Sequence, residues 1–176
     1  MEEELDRFES VLEAGLLKMA SGEGLATEMM GCPDIDGTWD RYIKEYVGDA
    51  VENFNDYPEA AIGFAAFLGM AVANRWDKDW AELKNTPYKA FYGKRGFDDM
   101  DDHIMQDVLQ LPDEVSKKCS SFLDSCSLAA LGLIRHEGIE AQTASGFYVM
   151  VRCCSVMFRL GATLELRRLG YHLEKR

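Results

Sequence analysis

The segment from Pro58 to Trp76 leaves this chain few ways to fold. It is apolar nearly all round, and Ala60, Ala61, Gly63, Ala65, Ala66, Gly69, Ala71 and Ala73 keep it thin. A helix without a polar face must be surrounded by other elements, and small residues let those elements approach its backbone. Gly63 and Gly69 each cost about 1 kcal/mol of helix propensity relative to Ala, a cost that a close helix crossing offsets. The pattern therefore predicts a central, small-residue-rich helix over 58–76. Its uncharged core, Ala60 to Ala73, has 14 residues. That is short of the roughly 20 needed to cross a bilayer.

The neighbours such a helix requires are legible on both sides. Leu5, Phe8, Leu12, Leu16 and Met19 recur at helical spacing over about 4–20. A glycine-rich stretch, 22–37, reads as a loop. Trp39, Tyr42, Ile43, Tyr46, Val47, Ala50, Val51 and Phe54 then form an unbroken apolar stripe, with Thr38 as its expected cap. A short helix is expected around 79–83 and another after Thr86-Pro87, ending at Gly93. A helix over about 98–109 follows. Pro112 opens the next, with Val115, Cys119, Phe122, Cys126, Ala129 and Leu133 expected inward. The last runs from Thr143 to about Leu169, with Phe147, Met150, Cys154, Met157, Gly161 and Leu164 on one stripe. Six to eight helices with short connections make an all-α, single-domain multi-helix bundle over residues 1–176, with 170–176 expected to fray as a C-terminal tail.

Charge narrows the class of partner. The net charge is −12, which disfavours nucleic acid and anionic membrane surfaces. The N-terminus, Met1-Glu2-Glu3-Glu4, is the reverse of a basic-then-apolar secretion signal. The cysteines are five, an odd number, and none forms a Cys-x-x-Cys pair, so reduced thiols in a cytoplasmic setting are expected. The charges are also unevenly placed. Residues 1–14 hold six acids against Arg7, and residues 98–114 hold seven acids and no Lys or Arg. Residues 150–176 hold six basic residues against Glu165 and Glu174. The basic segment is thus suited to pair with the acidic N-terminal helix, within one chain or across a dimer.

One short motif carries possible chemistry: Asp98-Asp99-Met100-Asp101-Asp102-His103. On a regular helix Asp98 and Asp102 are i, i+4, and Asp99 is i, i+3 from Asp102 and i, i+4 from His103. One face would then offer carboxylates and an imidazole to Mg²⁺ or another divalent cation. The ordinary alternative is that acids in a first helical turn offset the positive end of the helix dipole. The run also resembles the Asp-Asp-x-x-Asp motif of all-α isoprenoid synthases. That family needs a second acidic motif, which this chain lacks. Carboxylate-bridged di-iron bundles are excluded because Met100, Leu133 and Leu169 stand three residues before His103, His136 and His172. Gly93-Lys94-Arg95-Gly96 is a basic turn beside the acids, a phosphate contact or simply a solvated turn. No Gly-x-Ser-x-Gly or phosphate-binding glycine loop is present.

Two functional expectations follow. The first is a non-catalytic cytoplasmic helical protein that associates with another protein or with itself. The second is a metal-dependent hydrolase of a phosphorylated small molecule. It would use Asp98, Asp99, Asp102 and His103 as metal ligands, His103 alternatively as general base, and Lys94 or Arg95 on the phosphate.

Overall fold

Residues 2–140 and 143–172 are described by a computed structural model, and among them lie six α-helices and no strand. The helices are α1 (Glu2–Gly22), α2 (Pro33–Asn53), α3 (Pro58–Leu83), α4 (Met100–His103), α5 (Asp113–His136) and α6 (Ala144–Arg168). The all-α bundle expected from the sequence is the fold observed.

Its centre is the crossing of α3 and α6. A Cβ on Gly161 would fall inside the Ala66 carbonyl, and one on Gly69 inside the Phe158 carbonyl. The two backbones therefore touch through glycine, the close approach that makes the propensity cost of Gly69 tolerable. Gly63 makes the corresponding room for Ser127 of α5. From Ala61 to Asn74 every residue of α3 is buried. A break at Asp79 interrupts α3 near its end, and the Asp79 carboxylate accepts from the Glu82 N–H to restart the helix.

Around this crossing each helix covers one side. The α1 stripe Leu5, Phe8, Leu12, Leu16 and Ala20 is buried. α2 begins earlier than Thr38. Pro33 occupies its first turn with Asp34 and Asp36, and Thr38 is an interior residue whose hydroxyl donates to the Asp34 carbonyl. Gly37, read as part of a loop, lies within the helix. The α2 aromatics fasten it down: Tyr46 Oη donates to the Ala61 carbonyl at 2.8 Å, and Trp39 stacks on Phe158 at 4.6 Å. α6 begins where expected, and the structure adds its cap, the Thr143 hydroxyl accepting from the Gly146 N–H. By length and composition α6 is also suited to span a membrane. However, 67% of its apolar window is buried, as befits the second core helix.

Two further expectations change. α5 buries Leu123, Cys126, Ser127, Ala130, Leu131 and Ile134, a face rotated from the one anticipated: Cys126 belongs to both, Cys119, Phe122 and Leu133 are partly buried against the core, and Val115 and Ala129 are exposed. The reason is α3: Ser127 must face Gly63, and this fixes the helix rotation. The stretch 98–109 is not one α-helix. It runs through a 3₁₀ turn (Phe97–Asp99), α4 and a π turn (Ile104–Val108). The π turn, closed by Leu109 N–H to the Ile104 carbonyl, brings the adjacent pairs Ile104–Met105 and Val108–Leu109 into the core together. At the C-terminus, Tyr171 donates to Asp77 at 2.6 Å and packs on Trp76. Of the tail expected to fray, residues 173–176 lie outside the described residues.

Candidate functional site

The acidic segment is built on a closed turn. Gly93 and Gly96 exchange both backbone hydrogen bonds, leaving Lys94 and Arg95 exposed at the tip. Asp99 braces this turn: Oδ1 accepts from the Arg95 N–H at 3.0 Å, and Oδ2 stands 3.9 Å from the Arg95 guanidinium. Asp99 packs so closely on Gly93 that a Cβ there would collide with its carboxylate.

The 3₁₀ turn moves the other acids apart. Asp98 lines a hollow of about 270 Å³ beside Tyr57, Phe64 and Phe97. His103 lines a different hollow, of about 290 Å³, with Arg75, Lys78 and Asp79, and its Nδ1 donates to Asp107 at 2.8 Å. Asp102 is exposed. The regular-helix spacing that would put Asp98, Asp99, Asp102 and His103 on one face is thus not the spacing adopted. Among the described residues, no three His, Cys, Asp or Glu side chains are grouped to hold a metal ion. The acid with the most altered chemistry is Asp101, absent from the expected ligand set. Burial, then the charges of Asp102 and Asp124, push its carboxyl up to about 6.

The larger feature lies elsewhere. A groove of about 990 Å³ runs between the end of α1, α5 and α6, over the side of α3. Met19, Met70, Leu111, Phe122 and Leu164 line it with apolar surface, and Lys118, Arg167 and Arg168 bring positive charge. Its α5 wall is formed by Val115, Cys119 and Phe122, the same stripe whose periodicity pointed to the core. The stripe was the sequence signal for this groove. Spacing alone cannot tell a face covered by its own chain from one left uncovered.

A buried polar cluster anchors the α6 wall. Glu165 is fully buried, and Arg168 pairs with both its oxygens at 2.6 and 2.9 Å. Asn74, one turn beyond Met70 on α3, donates to Glu165 at 2.9 Å, while its own Oδ1 is buried with no partner among the described residues. A carboxylate inside a helical bundle is tolerated only when paired in this way. Cys119 donates to Met70 Sδ at 3.7 Å. Burial, then the nearby Glu165 charge, push its thiol up to about 11, so it stays protonated at neutral pH and is no nucleophile.

The charge asymmetry of the sequence is resolved within the chain along one half of α6. Arg152 pairs with Asp6 and Glu9 at 2.7 and 3.3 Å, and Arg159 with Glu9 and Glu13 at 3.7 and 3.4 Å. Farther along the same helix Arg167 makes no ion pair among the described residues, nor does Lys118 opposite it on α5. No family model matches this chain, and neither a curated protein nor a solved structure matches it.

Proposed function

We propose that this protein acts without catalysis, as a cytoplasmic helical module that binds another protein through the groove between α5 and α6. The observation that carries the reading is the Val115–Cys119–Phe122 stripe, which has the periodicity of a core face yet lines an open groove. Val115 is 41% exposed, and Leu25 on the opposite rim is 39% exposed. The pairing of α1 acids with Arg152 and Arg159 inside one chain removes the main electrostatic reason for self-association and favours a different protein as partner. The alternative, a metal-dependent hydrolase, would draw on donors now divided between a turn and two hollows.

The test is a photo-crosslinking amino acid placed at Val115, with Val51 on the exposed side of α2 as control, in cells that make the protein. The Val115 probe is expected to give one discrete polypeptide adduct, identified by mass spectrometry, that the Val51 probe does not give. Phe122→Asp, checked for folding by its melting temperature, should abolish it. No adduct at Val115, or one that survives Phe122→Asp, overturns the proposal.

A further inference from the structure

We infer that the groove's occupant is an amphipathic helix with acidic flanks. The inference rests on the groove being a protein-binding site, as proposed above, and three observations extend it to the partner's chemistry.

The first is shape. The long walls are two helices, and the floor between them is the side of a third, so the surface offers ridges and grooves of the kind into which a fourth helix packs. The exposed rims at Val115 and Leu25 stand outside the floor. An occupant that covers them is broader than a small molecule resting on Met70. The second is the lining. Met19 and Met70 contribute unbranched, polarisable side chains that repack around differently shaped apolar residues, as suits a site receiving another chain's Leu or Phe.

The third is charge, which decides among helices. In a chain of net charge −12, the groove walls carry Lys118, Arg167 and Arg168. Arg168 is committed to the buried Glu165, whereas Lys118 and Arg167 are exposed and make no ion pair among the described residues. The same helix shows what its arginines do when acids are near: Arg152 and Arg159 are both paired with α1. Lys118 and Arg167 therefore present uncompensated positive charge beside apolar surface, complementary to carboxylates flanking an apolar stripe. Glu23 marks the α1 end of the groove, so the acidic positions of the occupant belong toward α6.

The experiment uses the full chain and two fluorescent designed helical peptides of about 18 residues, long enough to hold helix when bound. Both carry Leu at i, i+3, i+4 and i+7; one has Glu flanks and the other Lys flanks. The Glu peptide is expected to bind saturably, and the Lys peptide about tenfold more weakly at low salt. Lys118→Glu with Arg167→Glu should invert that order while leaving the melting temperature near wild type, since both side chains are exposed. Equal binding of the two peptides, or an order unchanged by the double variant, overturns the inference. If neither peptide binds while the Val115 probe still captures a protein, the acidic-helix inference falls and the binding function stands. If the Val115 probe also captures nothing, both fall. A sedimentation mass of two chains, with Val115 crosslinking to a second copy, names this chain as the occupant and also overturns the inference.

Discussion

The α3–α6 crossing and the stretch from Gly93 to Leu111 are both largely helical, yet they are held by different forces. At the crossing, two long helices meet backbone to backbone through Gly69 and Gly161, and the contact depends on missing side chains. In the 93–111 stretch no turn type lasts beyond five residues, and the path is set by individual hydrogen bonds: Gly93 with Gly96, Asp99 with Arg95, Leu109 with Ile104. Long helices obey a period because each residue adds a bond to a repeating ladder. Short ones follow whatever buries their apolar pairs. The first region should fail when a single methyl is added, and the second should respond to charge.

The largest expected effect is Gly161→Ala. The added Cβ meets the Ala66 backbone, not a flexible side chain, so α3 and α6 must separate along their whole contact. A loss of about 3 kcal/mol or more is expected, a fall in melting temperature of roughly 6 °C or more. Gly132→Ala is the matched control: it lies in α5 with open space around its Cβ position. It should gain about 0.5–1 kcal/mol from helix propensity alone. Similar losses at both positions in thermal denaturation would mean that the crossing is not set by glycine.

A smaller effect, of opposite sign, is expected in the second region. Burial holds the Asp101 carboxyl at about 6 in the folded protein, against about 4 for an unfolded chain. The folded state therefore binds more protons between those values, so stability falls as pH rises through them, and the cost is fully present above the folded value. Asp101→Asn removes it. The variant should be more stable than wild type by about 1 kcal/mol near pH 8, after allowance for solvent screening at a partly exposed site. The gain should shrink below about pH 6 and vanish below about pH 4. Urea denaturation at pH 8, 5.5 and 3.5 checks the sign, and an Asn variant less stable than wild type at pH 8 would make the ionised carboxylate a structural acceptor.

The same contrast explains what could be read from sequence. The extent of α1, the central burial of α3, the start of α6 near Thr143 and the reason for Gly69 all follow from periodicity and residue size, which act locally. Gly161 is visible only as a small residue on an apolar stripe until α3 is laid across it. The rotation of α5 depends on Ser127 meeting Gly63, a contact between residues distant in sequence. For that reason Val115 and Phe122 were placed in a core that they only border. The start of α2 was missed because Gly37 reads as a breaker, while Pro33 with Asp34 and Asp36 supplies a good first turn. The acids 98–103 were grouped by a helical spacing that the 3₁₀ turn Phe97–Asp99 does not keep, and the same turn hides the partial burial of Asp101.

That last difference gives the smallest expected effect, a null one, and the sharpest test of the acidic segment. A divalent ion at a hundred times its dissociation constant would stabilise the fold by about 2.7 kcal/mol, roughly 5 °C or more in a chain of this size. Both Asp99 oxygens serve the 93–96 turn, and Asp98 and His103 line separate hollows. Gathering them round one ion would require the turn to open and the 3₁₀ segment to rewind as α-helix. Melting of chelator-treated protein with Mg²⁺, Mn²⁺, Zn²⁺ or Ca²⁺ should therefore show no saturable rise. A rise with one ion, lost on Asp99→Asn with Asp102→Asn, would break the comparison. It would mean that the segment changes helix type to build a site, and the phosphate-directed, metal-dependent reading with Lys94 and Arg95 would displace the binding one.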